Sequence, residues 1–247
     1  MIKIISWIVI KWKQLGRTIW FPTVNLELKN SDLTDSTFKI NIVIDWIIFS
    51  GAWVYRKELW LFEWHIFDFD KEIYWKEIEI IILEKIRDNI KINWLEELKK
   101  LISYDVSNIK KIKYTVLTFW SFDVVHKWHS YYLNQAKKYW DKLITIVATD
   151  QNIEKFKKFK PQNNQQKRIE DIKKLNISDE VMAGKEENFL KWIDIYSPKV
   201  ICFGYDQRWV EKVQEYISKN NLDIEIIRIK SFKPEVYKSS LLKNEKS

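Results

Sequence analysis

Residues 118–150 read TFWSFDVVHKWHSYYLNQAKKYWDKLITIVATD. With the four residues before it, the stretch opens on an apolar β-branched run, YTVLTFW at 114–120. A short polar segment follows, carrying Asp123, His126 and His129. SYYLNQAKKYW at 130–140 has a helical period, and DKLITIVATD at 141–150 returns to a strand. Further on, NQQKRIEDIKKL (164–175) reads as a helix, PKVICFGYD (198–206) as a strand, WVEKVQEYISKN (209–220) as a helix and DIEIIRIK (223–230) as a last strand. Strands alternating with helices specify a parallel sheet covered by helices on both faces. The C-terminal half, 113–247, is therefore expected to be a Rossmann-like α/β domain.

The first hundred residues follow a different rule. IKIISWIVI (2–10), FKINIVIDW (38–46), LFEWHIFDF (61–69) and EIEIIILEKI (77–86) are β-rich runs with partial alternation, and WLEELKKLISY (94–104) switches to a helical period. Strands followed by one helix suggest a small closed antiparallel β-barrel with a C-terminal helix. Polar SNIKKIK at 107–113 is the expected connector, so the domains are read as 1–107 and 113–247.

The composition holds an anomaly. The chain has 247 residues with four glycines and fourteen tryptophans, eighteen of the two together. At an average usage of about 7%, roughly 17 glycines are expected. The sum is ordinary and the parts are not, so many or all of the tryptophans are expected to stand at glycine positions. A stop codon reassigned to glycine but translated as tryptophan produces this pattern. A chain truly rich in tryptophan would place the indoles in cores or interfaces. These fall in KQLGRTIWFPTVN, TFWSFDVVHKWHS and KKYWDKL, which read as turns and loop ends.

Net charge is +8, with a basic cluster at 155–168 (KFKKFKPQNNQQKR). That balance suits anionic, phosphate-bearing metabolites. No RNA-binding aromatic motif accompanies the cluster, so nucleic acid is not the expected partner. No apolar run reaches the length of a membrane span. The apolar start MIKIISWIVIKWK lacks a signal-peptide cleavage site. The lone Cys202 excludes an internal disulfide and a cysteine zinc site, and a cytoplasmic location is expected.

Two of the chain's three histidines lie in the opening stretch. An isolated pair three apart is most often a helix-start pair without function. Read with glycine at 120, 128 and 140, however, the stretch resembles the cytidylyltransferase-like nucleotidyltransferase family, marked by G-[ST]-F-D-x-x-H-x-G-H. QQKRIEDI, PKVICFGYDQ and YKSSLLK (237–243) extend the resemblance over about 113–243. It implies that His126 and His129 stabilise the transition state with no covalent intermediate. It also implies that Ser121, Phe122, position 128 (Trp128 here), Arg168, Ser239, Ser240 and Lys243 contact the nucleotide phosphates. Asp123 would fix the loop or help hold magnesium. The chemistry is coherent, because a helix N-terminus presents free N–H groups and a favourable dipole to a phosphate, and fixed donors stabilise charge developing in transfer.

With the same substitution, SWIVIKWKQLGRTIWFPTVNLEL (6–28) resembles the riboflavin kinase family, marked by G-x-V-x-x-G-x-x-x-G-R-x-[IL]-G-[FI]-P-T-[AV]-N-[LF]. SGAWVYRKE, LFEWHIFDFDKEIYWKEI, EKIRDNIKI and LEELKKLISYD agree in order over residues 5–105. The resemblance implies Glu63 as the base for the ribityl hydroxyl and Thr23 and Asn25 as magnesium and phosphate ligands. Gly16 and Arg17 would lie in the loop over the nucleotide, and Arg87 near the flavin. FPTVNL alone reads as a Pro-initiated strand, and Glu63 alone as a surface carboxylate.

The two resemblances together imply ATP + riboflavin → FMN + ADP, then FMN + ATP → FAD + pyrophosphate, with Mg2+. Two alternatives stand beside this. One is a flavokinase fused to a transferase for another phosphate ester, such as glycerol 3-phosphate. The other, if the tryptophans are authentic, is an inactive flavin- or nucleotide-binding protein. The residues say nothing of oligomeric state.

Overall fold

The computed structural model describes residues 2–9, 24–27, 33–57, 61–69, 73, 75–92, 94–139, 141–185, 189–207 and 209–231. The chain divides into two compact units, Met1–Ile112 and Lys113–Ser247.

The first unit is a six-stranded antiparallel sheet. Its strands are β1 (Lys3–Ile8), β2 (Val24–Glu27), β3 (Ser36–Ile44), β4 (Ile47–Arg56), β5 (Leu61–Ile66) and β6 (Glu77–Asp88), in the order β1-β6-β3-β4-β5-β2. β1 and β2 are the edges of this sheet among the described residues. β3 is buried along its whole length. Phe38, Ile40, Ile42 and Ile44 share one core with Trp53, Tyr55, Trp64, Ile78, Ile80 and Ile82. Each fully buried Ile or Phe contributes about 1.5–3 kcal/mol by leaving water, so the isoleucine-rich runs of β3 and β6 anchor the sheet. Helix α1 (Leu95–Lys111) follows, with Glu96 and Glu97 in its first turn and Lys110 and Lys111 in its last, each sign matched to the helix dipole. Residues 107–111, expected as a connector, complete this helix instead. Ile109 is buried, which continues the apolar face past the polar-looking segment.

The second unit is a five-stranded parallel sheet. It comprises β7 (Thr115–Trp120), β8 (Lys142–Val147), β9 (Glu180–Ala183), β10 (Val200–Gly204) and β11 (Glu225–Ile229), in the order β11-β10-β7-β8-β9. Helices α2 (Lys127–Lys137), α3 (Asp150–Lys157), α4 (Gln165–Lys174), α5 (Lys191–Tyr196) and α6 (Val210–Lys219) connect the strands. Leu117, Ile144, Ile201 and Phe203 from the strands pack with Leu190, Ile193, Val210 and Val213 from the α5 and α6 segments. The chain steps outward from β7 to β8 and β9, then returns to lay β10 on the other side of β7. Strand order therefore reverses between β7 and β10, and in such sheets ligands bind beyond the carboxyl ends of the strands at that crevice.

Candidate active site

The carboxyl end of β7 leads through Ser121–Val125 into α2. His126 is the N-cap of α2 and His129 its third helical residue, and the two rings lie with centroids 4.2 Å apart. They cap the helix reciprocally. The Trp128 backbone N–H donates to His126 Nδ1, and the His126 backbone N–H donates to His129 Nδ1, both at 3.3 Å. A neutral imidazole whose Nδ1 accepts carries its proton on Nε2. Each ring is thereby set as an Nε2–H donor. Burial lowers the His126 pKa. His129 is held well below the ordinary imidazole value, first by burial and then by the neighbouring His126 and Lys157 charges.

The loop before the helix is braced from behind. Arg168 on α4 is fully buried. Its Nε donates to Asn163 O (3.0 Å), Nη1 to Ser121 O, and Nη2 to Ala148 O (2.8 Å) and Asp150 Oδ1 (2.5 Å). The guanidinium thus holds the carbonyls of Asn163, Ser121 and Ala148. Asp123 Oδ1 accepts the backbone N–H groups of Gln162 (2.7 Å) and Asn163 (3.2 Å), which ties this loop to the segment before α4. Phe122 is buried with φ of 50°. Lys157 Nζ donates to Ser121 Oγ at 2.7 Å.

On the β10 side Gln207 joins the two strand ends. Its Oε1 accepts the Gly204 N–H (2.8 Å) and its Nε2 donates to Phe119 O (2.5 Å). A cavity of 690 Å³ opens here, lined by Phe119, Ser121, Phe156, Lys157, Phe189 and Gln207 among others. Lys157 and Gln207 were not singled out from the sequence. Lys157 belongs to the basic cluster and Gln207 to the GYDQ segment, and neither position marks its contact across the sheet. Ser239, Ser240 and Lys243 lie outside the described residues.

In the first unit, the β2–β5 register sets Asn25 directly opposite Glu63. Glu63 Oε2 pairs with Arg56 Nη2 at 3.3 Å, on the neighbouring β4. Arg87 at the end of β6 is engaged elsewhere. Its Nε donates to Asp105 Oδ1 (3.0 Å), its Nη2 to Asp105 Oδ2 (2.5 Å) and its Nη1 to Asp88 O (3.0 Å), fastening α1 to the sheet. Gly16, Arg17 and Thr23 lie outside the described residues. Among the described residues no group of three His, Cys, Asp or Glu could hold a metal ion, and no helix is long and apolar enough to cross a membrane.

The tryptophans fall into distinct settings. Trp53, Trp64, Trp128 and Trp192 are buried, against the expectation that the indoles keep to turns and loop ends. Trp46, Trp75 and Trp94 are exposed.

Comparison with known proteins agrees with this division. The riboflavin kinase family model matches residues 4–113, and the cytidylyltransferase-like model matches 117–245. A FAD synthase of Thermococcus sibiricus is 37% identical over 140 residues, covering 56% of this chain and 91% of that protein. A FAD synthase of Methanothermus fervidus is 36% identical over 117 residues, covering 46% of this chain and 80% of the relative. The crystal structure of a lipopolysaccharide core biosynthesis protein from Thermoplasma volcanium aligns over 49% of this chain and 100% of that one, at 28% identity and a TM-score of 0.47. The chain belongs to the cytidylyltransferase-like family through its second unit, and its first unit is similar to the riboflavin kinase family over residues 4–113.

Proposed function

We propose that this chain makes FAD in two steps: ATP phosphorylates riboflavin to FMN, and a second ATP adenylylates FMN with release of pyrophosphate. The observation that carries the second step is the reciprocal histidine cap at the mouth of α2, beside the switch point of a parallel sheet. The riboflavin kinase family domain in the same chain supplies the acceptor: its product, FMN, is the phosphate ester the transferase needs.

In the transfer, an FMN phosphate oxygen attacks the α-phosphorus of ATP. The new O–P bond forms as the bond to the β-phosphate oxygen breaks, and pyrophosphate leaves with that electron pair. No proton on the protein has to move for the balance to close. His126 and His129 donate Nε2–H to the oxygens on which charge builds, and the α2 N-terminus adds its dipole. Lys157, held at Ser121, adds positive charge at the cavity side. The aromatic cavity suits a planar ring of one of the substrates.

In the first unit Glu63 takes the ribityl hydroxyl proton as that oxygen attacks the γ-phosphorus of ATP, and the bond to the β-phosphate oxygen breaks so that ADP leaves with that electron pair. Magnesium suits both reactions, because it is held largely by phosphate oxygens and water with one or two protein ligands. Asp123, with its Oδ1 given to two backbone N–H groups, fits a loop-fixing role better than a metal-ligating one. Thr23 and Asn25 are the ligands to test in the kinase unit. The reaction is placed in the cytoplasm.

The test is a chain with all fourteen tryptophans recoded as glycine, incubated with riboflavin, ATP and magnesium, and its flavins separated by chromatography. FMN followed by FAD is the expected course. FMN that never becomes FAD, with glycerol 3-phosphate and CTP consumed instead, replaces the acceptor assignment.

A further inference from the structure

Asp45 and Trp46 form the two-residue turn between β3 and β4, with Ile44 paired to Ile47. Their φ angles are 49° and 69°. Two consecutive residues of positive φ in a two-residue hairpin make a type I′ turn, whose sequence mark is Asp-Gly or Asn-Gly. Aspartate is in its place, and the second position, where glycine is preferred, holds an indole that is 82% exposed and buries almost nothing. Trp75 repeats the situation. It has φ of 66°, is 74% exposed, and its backbone N–H donates to Val9 O at 2.7 Å in the turn entering β6. Bulky side chains are rare at positive φ, where Cβ crowds the backbone. Glycine alone carries no such penalty.

Trp120 and Trp128 mark the second unit in another way. The Trp120 ring lies on the backbone of Gly204, so close that a Cβ there would stand 2.0 Å from it. The Trp128 ring is 4.9 Å from it and stacks on Tyr132 at 5.2 Å. Trp128 is buried, and among the described residues its indole N–H, like that of Trp64, has no acceptor. A buried donor without a partner is a cost that native packing avoids. Between them the two indoles fill the crevice between the ends of β7 and β10, beside the histidine pair.

We infer that positions 46, 75, 120 and 128 are glycine in the protein as its cell makes it, and that glycine at 120 and 128 opens the crevice to a nucleoside triphosphate that the two indoles exclude. The ligand assignment rests on the transferase reading above; the identity of positions 46 and 75 rests on backbone geometry alone. Trp53, Trp64 and Trp192 are packed into cores without positive φ and carry no part of this inference.

Two measurements test it. The first is peptide mass spectrometry of the protein purified from its natural source, over positions 46, 75, 120 and 128. Glycine masses at all four are expected, and tryptophan masses overturn the inference. The second compares the all-tryptophan chain with its Trp120→Gly/Trp128→Gly variant in equilibrium dialysis against a non-hydrolysable ATP analogue. Binding at least 100-fold tighter in the variant is expected, and equal binding overturns the crevice argument. A Trp46→Gly change gives a folding readout apart from any ligand: Tm should rise, and a fall contradicts the turn argument. If the glycine chain binds the analogue but makes no FAD from FMN, the proposed function fails and this inference stands.

Discussion

His129 accepts, on its Nδ1, the backbone N–H of His126 at 3.3 Å, while the His126 ring accepts the Trp128 backbone N–H in the first turn of the same helix. The helix cap and the phosphate-binding pair are therefore one structure. The bonds that end α2 also fix which nitrogen of each ring faces a ligand. Replacing either histidine with Ala should remove a transition-state donor and lower FAD formation from FMN by about 10²–10³-fold, the range for losing one preformed donor. FMN formation from riboflavin should be unchanged. Single-turnover assays of the two steps on the glycine-recoded chain check this, and loss of both activities would break the two-site assignment.

The same pair sets a pH dependence. Both folded-state pKa values are pushed below the ordinary imidazole value of 6.5. Below that value the unfolded chain therefore binds protons that the folded rings refuse. The stability contributed by the neutral rings is present above about 6.5 and is lost as pH falls toward the folded-state values. Thermal unfolding of the second unit should show Tm dropping from pH 7.5 to pH 5.5, and a His126→Gln/His129→Gln variant should flatten that slope. A slope of opposite sign would mean that the rings are charged in the fold.

Among the described residues Arg168 meets backbone carbonyls and Asp150, so its hold on the loop can be tested apart from the chemistry. Arg168→Ala takes the donor from the buried Ser121 carbonyl, at about 1–3 kcal/mol for an unsatisfied buried group, and from the part-buried Ala148 carbonyl at a smaller cost. The second unit should lose stability of about that order, with its unfolding midpoint lowered. Arg168→Lys, which can hold only part of the network, should keep the fold and lower kcat of the transferase more than it raises KM for ATP. A large rise in KM alone would place the guanidinium on the triphosphate instead.

Much of this was legible in the chain and some was not, for definite reasons. β7, α2, β8 and β10 were readable because an apolar β-branched run and a 3.6-residue period are local signals. β4 went unread as a strand because its centre, SGAWV, lacks clean alternation, and pairing on both sides by β3 and β5 decides it. The α1 boundary was missed because one buried residue, Ile109, outweighs a polar surround. The placement of His126 and His129 together at the start of α2 was legible, because they lie three apart just before a helical period. Lys157 and Gln207 act through contacts 36 and 88 residues away in sequence, which no local pattern encodes. The Arg87–Asp105 pairing is not legible in the chain, because the two residues are eighteen apart and meet only in the fold.

That last pair carries a prediction of its own. Asp105 is buried, and Arg87 meets it through both Nε and Nη2, a bidentate geometry that lysine cannot reproduce. Removing one partner strands the other in a largely desolvated site, which costs about 3–5 kcal/mol for buried pairs. Arg87→Ala and Asp105→Ala should each destabilise the first unit by an amount at or somewhat under that range, because the Arg87 side chain keeps 20% exposure. The double variant should be less damaging than the sum, since neither charge is then left alone. Chemical denaturation of the four chains gives the coupling energy directly. Riboflavin affinity separates the two readings of Arg87. If the arginine serves only to hold α1, variants that remain folded should bind riboflavin as the parent chain does, whereas a loss of binding in Arg87→Ala without a matching loss in Asp105→Ala would return Arg87 to the flavin.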